Sequence, residues 1–152
     1  MRVQAVLLSS LFLAGCSEAD APPEQQAAAD QAIEPEAIRY PDIEKHQIYG
    51  AACAFVPDGG GLGAIAIAMA DFGYMKFDGE VVRFDPIKAT PSLPLGGREQ
   101  YISEDYGFAL ELDQGEGKQS GYETRNFPAI LTVTVGDGSV GYQARGLAQC
   151  GV

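Results

Sequence analysis

The chain has little of what nucleophilic and metal-dependent enzymes use. It contains one histidine and three cysteines in 152 residues. The histidine, His46, lies outside any recognisable serine or cysteine nucleophile motif, which argues against a catalytic triad. The cysteines lack C-x-x-C spacing, which argues against a zinc site or a redox pair. We therefore predict neither a metal nor a cofactor.

Basic residues are also scarce. Ten lysine and arginine residues stand against 21 aspartate and glutamate residues, which gives a formal net charge of −11. A surface of this sign repels phosphate backbones, so nucleic acid is excluded as a partner. The same field attracts a basic protein and speeds its encounter with the chain.

The apolar run at the N-terminus is too short to span a membrane, for which a helix needs about 20 residues. It follows Met1-Arg2 and ends at Leu13-Ala14-Gly15-Cys16, and it resembles the lipobox of a bacterial lipoprotein signal peptide. The resemblance implies that Cys16 becomes the first mature residue and carries lipid. Ser17 is compatible with sorting to the outer membrane, with the domain facing the periplasm. The alternative is an ordinary secretory leader with an incidental cysteine.

Composition divides the chain into a signal peptide (residues 1–15), a lipidated cysteine with an acidic tether (residues 16–44) and a folded domain (residues 45–152). Between Ser17 and Glu44 the chain is rich in Ala, Glu, Gln and Pro and carries eight acidic residues against the single basic Arg39. Such a stretch buries too little apolar surface to fold alone. We therefore predict a flexible tether, with transient helix ending before Pro35.

The remaining cysteines predict a disulfide. With lipid on Cys16, Cys53 and Cys150 are left as a pair at the start and the end of the folded region, in a compartment that permits disulfides. Each is in phase with apolar residues of its own strand: Tyr49 and Phe55 for Cys53, and Val140 and Tyr142 for Cys150. We therefore expect both to face the same core.

The domain has the pattern of a β protein. Ile65 to Met69 and Phe108 to Leu112 alternate with the period of two that is typical of strands. Asp78-Gly79 and Gly136-Asp137-Gly138 separate apolar stretches and predict two hairpins, because Asp-Gly supplies the positive φ angles of tight turns. About seven or eight strands at this spacing predict an all-β domain, either a small antiparallel barrel or a sandwich.

The longest break between strands runs from Ile87 to Gln100 and is the best candidate for a functional loop. Its prolines restrict the chain, so less entropy would be lost on docking. We predict that the loop and the turn near it contact a partner. Arginine and tyrosine are frequent interface anchors, and carboxylates favour a basic partner. The predicted binding residues are Arg98, Glu99, Tyr101, Glu104, Asp105 and Tyr106.

The order of lipobox, tether, early cysteine, Asp-Gly hairpin, long loop and terminal cysteine resembles the membrane-bound inhibitor family of C-type lysozyme. The matching places are Cys53, the stretch from Tyr74 to Phe84, the segment from Gly96 to Tyr101, and Cys150. The resemblance implies a small barrel on a lipid anchor, with cysteines that tie the first strand to the chain end and a loop that enters the lysozyme cleft. Gly96 stands where the family has a serine, and one residue more precedes the aromatic.

Two functions follow from these observations. The first is a membrane-anchored, non-enzymatic binding or structural domain whose partner is a basic protein or a cell-wall component, with lysozyme inhibition as one version. The alternative is a small cell-envelope hydrolase that uses the carboxylates of Glu104 and Asp105 as an acid–base pair.

Overall fold

The computed structural model of the chain describes residues 32–61 and 63–152. The predicted leader, Cys16 and most of the predicted tether lie outside these residues. In the part that is described, no helix has the length and apolar character needed to cross a membrane.

One helix and nine strands make up the described chain. Their bounds are α1 Tyr40–His46, β1 Ala52–Pro57, β2 Ala66–Met69, β3 Gly73–Phe77, β4 Glu80–Pro86, β5 Gln100–Ile102, β6 Tyr106–Leu112, β7 Lys118–Gln119, β8 Arg125–Val135 and β9 Val140–Gly151. A short 3-10 turn, Pro94–Gly96, lies in the loop between β4 and β5.

Eight of the strands close into an antiparallel barrel. Going around the wall, β1 to β6 follow in chain order, β6 pairs with β8, β8 with β9, and β9 returns to β1. The short β7 pairs with the start of β8 and is the extra strand. The predicted all-β fold is confirmed, and of the two predicted architectures the structure has the barrel.

The two hairpins predicted from the Asp-Gly sequences are present in the structure. Asp78 and Gly79 have φ of 49° and 80° between β3 and β4, as a tight turn with two positive φ angles requires. The turn from Gly136 to Ser139 joins β8 and β9, but the register shifts between Val133 and Thr134. This bulge leaves Val140 51% exposed. The expectation that Val140 is in phase with the core is therefore wrong, because the irregularity moves its side chain to the outside.

The barrel interior is filled by large apolar side chains and small ones from β2. Phe55, Phe84 and Leu131 are fully buried. Ala66 and Ala68 of β2 belong to the same core, whereas Ile67 between them belongs to a second cluster. Since neighbouring residues of a strand face opposite sides, β2 is covered on both faces.

The cover on the outer face comes from residues 33–48, most of which the sequence assigns to the tether. Four isoleucines spaced five residues apart, Ile33, Ile38, Ile43 and Ile48, all pack against the two apolar clusters. The backbone N–H of Ile38 donates to the carbonyl of Ala64 at 2.8 Å. The folded region thus begins earlier than residue 45, because these side chains pack against the barrel and bury apolar surface there.

Helix α1 is held to the barrel by an ion pair. Lys76 Nζ of β3 lies 3.0 Å from Asp42 Oδ2, and both side chains are mostly buried. The backbone N–H of Arg39 also donates to this carboxylate at 2.9 Å, which caps the helix. The Arg39 hydrogen bond, followed by that of Lys76, lowers the pKa of Asp42 below its usual value.

The predicted disulfide is confirmed. Cys53 of β1 and Cys150 of β9 are directly opposite in the ladder, with Cα atoms 4.0 Å apart and a sulfur–sulfur bond. The bond therefore joins the first and last strands of the barrel.

The two ends of the barrel differ. We call one the acidic pole, formed by residues 58–61, 78–79, 103–105 and 136–139, and the other the loop pole, formed by residues 47–51, 70–72, 87–99 and 113–124. The segment before α1 crosses the acidic pole, where the Ile33 N–H donates to the Gly141 carbonyl at 3.2 Å.

Candidate functional site

The loop between β4 and β5, residues 87–99, folds over the loop pole and closes it. Leu93 is 8% exposed and belongs to the main core. Its N–H donates to the carbonyl of Gly97 at 2.9 Å, and the N–H of Glu99 donates to that of Pro91 at 3.0 Å. These bonds make the loop an ordered plug, so the surface that it presents is fixed before any partner arrives.

Tyr101, which was predicted to contact a partner, instead holds this loop in place from inside the barrel. It is 1% exposed, and its ring stacks on Phe108 with centroids 4.7 Å apart. Its hydroxyl donates to the Met69 carbonyl at 2.6 Å and accepts from the Arg98 N–H at 2.8 Å. Burial raises the pKa of Tyr101 above its ordinary value. The residue therefore holds the loop and offers no surface to a partner, in contrast to the prediction.

The other predicted binding residues are divided between the two poles. Arg98 and Glu99 lie half-buried at the loop pole, and Arg98 Nη1 donates to Ser92 Oγ at 2.7 Å. Glu104 and Asp105 are exposed in the turn at the acidic pole, beyond the other end of β5. That turn therefore does not extend the surface of the loop, and the two carboxylates occupy the position typical of solvated turn residues.

Tyr106 is also a structural residue. It is half-buried, and its ring stacks on Phe77 with centroids 4.5 Å apart. Of the residues predicted to bind, the structure therefore brings only Arg98 and Glu99 together at the face of the long loop.

The most exposed apolar residue of the plug is Leu95, which sequence reasoning missed. Its side chain is 45% exposed, and its backbone is left-handed, with φ of 62° and ψ of 19°. For a residue other than glycine or asparagine this conformation costs about 1–2 kcal/mol. Leu95 therefore combines backbone strain with an apolar side chain in water, and retained strain of this kind is concentrated at binding and active sites.

Leu95 stands between two surface grooves. The first, which we call the aromatic groove, has a volume of about 390 Å³ and is lined by Tyr49, Met69, Asp71, Phe72, Tyr74 and Leu95, among others. Tyr49 lies before β1 and is 61% exposed, so the expectation that it shares the core face with Cys53 is wrong. Among the described residues that line the groove, Asp71 is the only charged one.

The second groove lies on the other side of Leu95, above the disulfide. It measures about 260 Å³, and its lining includes Tyr122, Phe127 and Cys150. Tyr122 is 96% exposed. Leu95 is therefore flanked by two grooves that each include an exposed tyrosine, a residue type that is enriched among the anchor residues of protein interfaces.

The acidic pole has a different chemistry. Its turns carry Asp58, Asp78, Glu104, Asp105 and Asp137 and have no lysine or arginine of their own. Basic side chains from neighbouring elements lie close to these turns, since Arg39 and Lys76 line the same groove as Asp78. The loop pole has charges of both signs and most of the exposed aromatic surface.

No protein-family model, no curated protein and no solved structure matches this chain.

Proposed function

We propose that this protein is a lipid-anchored, non-enzymatic binding domain that docks a basic partner protein on its loop pole. The exposed, strained Leu95 on an ordered plug is the observation that carries the proposal. A C-type lysozyme is the specific partner to test, because the order of elements in the sequence resembles the inhibitor family of that enzyme.

Three features support a binding role. The small barrel is compatible with a binding domain, and its loop is fixed by internal hydrogen bonds, which lowers the entropy lost on docking. Leucine and tyrosine side chains are exposed together at one end, where burial by a partner would be favourable. The net charge of −11 would draw a basic protein toward the chain before the apolar contacts form.

The lipid anchor rests on the leader that ends at Cys16. The chain reaches the barrel at the acidic pole, where Ile33 meets Gly141. With a lipid on Cys16, the loop pole is the end farther from the point of attachment and is open to a partner. Mass spectrometry of the mature N-terminus should show diacylglyceryl modification of Cys16, and an unmodified residue there would refute the anchor.

The binding test compares two exposed apolar residues at opposite poles. Leu95 and Val140 are 45% and 51% exposed, so a change to Asp at each is a matched pair. We expect Leu95→Asp, in the full chain in detergent, to weaken binding to a C-type lysozyme by at least about tenfold, measured by calorimetry. Val140→Asp should change the affinity by less than about twofold.

Each outcome of this comparison has a consequence. Wild-type chain that does not bind lysozyme would remove lysozyme as the partner, and equal effects of the two substitutions would remove the loop pole as the docking surface. Turnover of a glycoside or an ester that disappears in Glu104→Gln would overturn the non-enzymatic assignment in favour of a hydrolase.

A further inference from the structure

We propose that the aromatic groove receives an arginine side chain of the basic partner. The inference rests on the proposed function for the identity of the partner, but the chemistry of the groove can be tested without it.

The lining of the groove matches a guanidinium group. The aromatic residues Tyr49, Phe72 and Tyr74 line the groove, together with the polarisable, apolar Met69. A guanidinium stacks on such rings by cation–π attraction, while the methylene stem of arginine packs against apolar side chains. The carboxylate of Asp71 supplies the opposite charge in the fork geometry that arginine prefers and that lysine cannot reproduce.

The chain itself contains one instance of this contact. The guanidinium carbon of Arg83, on β4, lies 4.3 Å from the centroid of the Phe72 ring. Phe72 therefore makes a cation–π contact within the chain, and the same residue lines the aromatic groove. A second arginine, entering the groove between Tyr49 and Leu95, would meet the same kind of surface with the charge of Asp71 beside it.

The chain's own N-terminal segment does not fit the groove chemically. Residues 17–31 contain no arginine, no lysine and no large apolar side chain. The described chain also enters the barrel at Ile33, at the opposite pole. A basic partner supplies what this segment lacks, and the net charge of −11 favours its approach.

The test is a titration of the full-length, ¹⁵N-labelled chain in detergent with three blocked tripeptides, Ac-Gly-X-Gly-NH₂. In these peptides X is arginine, lysine or citrulline, which keeps the shape of arginine but has no charge. We expect saturable chemical-shift changes at the amides of Gly50, Ala70 and Phe72, with affinity falling from arginine to lysine to citrulline.

Two variants with the same charge change locate the effect. Asp71→Asn should weaken binding of the arginine peptide at least about fivefold and reduce the difference between arginine and citrulline. Asp78→Asn is the control, because Asp78 is exposed at the acidic pole and asparagine tolerates its positive φ. Its effect should be less than about twofold.

Several outcomes would overturn the inference. Shifts confined to the acidic pole, or equal losses in the two variants, would mean general charge attraction without a pocket. Stronger shifts at the same amides with an N-acetylglucosamine trisaccharide would make the groove a saccharide site. A dimer in sedimentation velocity that is lost in Asp71→Asn would make a second copy its occupant. The peptides test the groove without the partner protein. If the arginine peptide binds saturably but lysozyme does not bind, only the assignment of lysozyme as the partner is refuted.

Discussion

The Cys53–Cys150 disulfide should contribute a large share of the stability of the barrel. The two cysteines are 97 residues apart in sequence, so the bond closes most of the domain into one loop. The chain-entropy model gives about 4–5 kcal/mol for a loop of this size at 25 °C. Both residues are almost fully buried and paired across β1 and β9. We therefore expect Cys53→Ala/Cys150→Ala to lower the free energy of unfolding by about 3–5 kcal/mol.

Urea unfolding followed by far-ultraviolet circular dichroism measures this change. The urea midpoint should fall, and the m-value should rise because the uncrosslinked unfolded chain exposes more surface. As a control that leaves the sequence intact, a reducing agent should produce a similar loss in the wild-type chain. A loss smaller than about 1 kcal/mol would refute the reasoning, since the unfolded state would then be compact without the bond.

Three further substitutions test single features of the structure. Tyr101→Phe removes a hydroxyl with two hydrogen bonds and should lower the free energy of unfolding in urea by about 1–3 kcal/mol. Tyr122 is exposed, so Tyr122→Phe should leave this free energy unchanged. Equal effects of the two substitutions would contradict the role of Tyr101 in holding the loop. Burial raises the pKa of Tyr101, so its contribution to stability is complete below its ordinary pKa of 10.0 and is lost as pH rises through the higher pKa of the folded state. Above pH 10.0, the melting temperature of Tyr101→Phe should therefore depend less on pH than that of the wild-type chain. The pKa of Asp42 is lowered, so its contribution is present above the usual value of 3.8 and is lost as pH falls through the lower folded value. Asp42→Asn should cost up to about 1 kcal/mol at pH 7, with melts that converge on wild type in strong acid. A methyl group at Gly146 would overlap the backbone of β1, so Gly146→Ala should cost about 3 kcal/mol. Gly136→Ala should cost little, because its methyl group would meet only the Asp105 carbonyl, at an ordinary contact distance of 3.8 Å. Similar melting temperatures for the two variants would argue against this packing.

The features that the sequence predicted correctly depend either on local backbone preferences or on a choice among few possible residue pairings. Asp78-Gly79 specifies a hairpin through its own backbone preferences, and the structure has it there. The disulfide was predictable because the assignment of lipid to Cys16 left one pairing to consider. The choice between barrel and sandwich depends on whether β6 meets β8, which no local pattern encodes.

The site residues depended on contacts between distant segments, and the prediction was weakest there. Tyrosine is a residue type that often anchors interfaces, yet the side chain of Tyr101 is buried and its hydroxyl donates to the Met69 carbonyl on another strand of the barrel. Leu95 resembles any loop leucine until its left-handed backbone and its exposure are seen. The isoleucines from Ile33 to Ile48 follow a spacing of five that matches neither helix nor strand, because they follow the surface of the barrel instead.

The closed wall of the barrel has seams of unequal strength. At β1 and β9 a covalent bond adds to six residue pairs, whereas β4 and β5 share only two pairs. Local opening follows the weakest set of contacts, so amide hydrogens of Gln100–Ile102 should exchange with solvent earlier than those of β1. Residues 87–99 connect these two strands, and the Ile87 N–H donates to the Gln100 carbonyl at 2.9 Å, so the order of the loop that presents Leu95 also helps to keep the weakest seam of the wall closed.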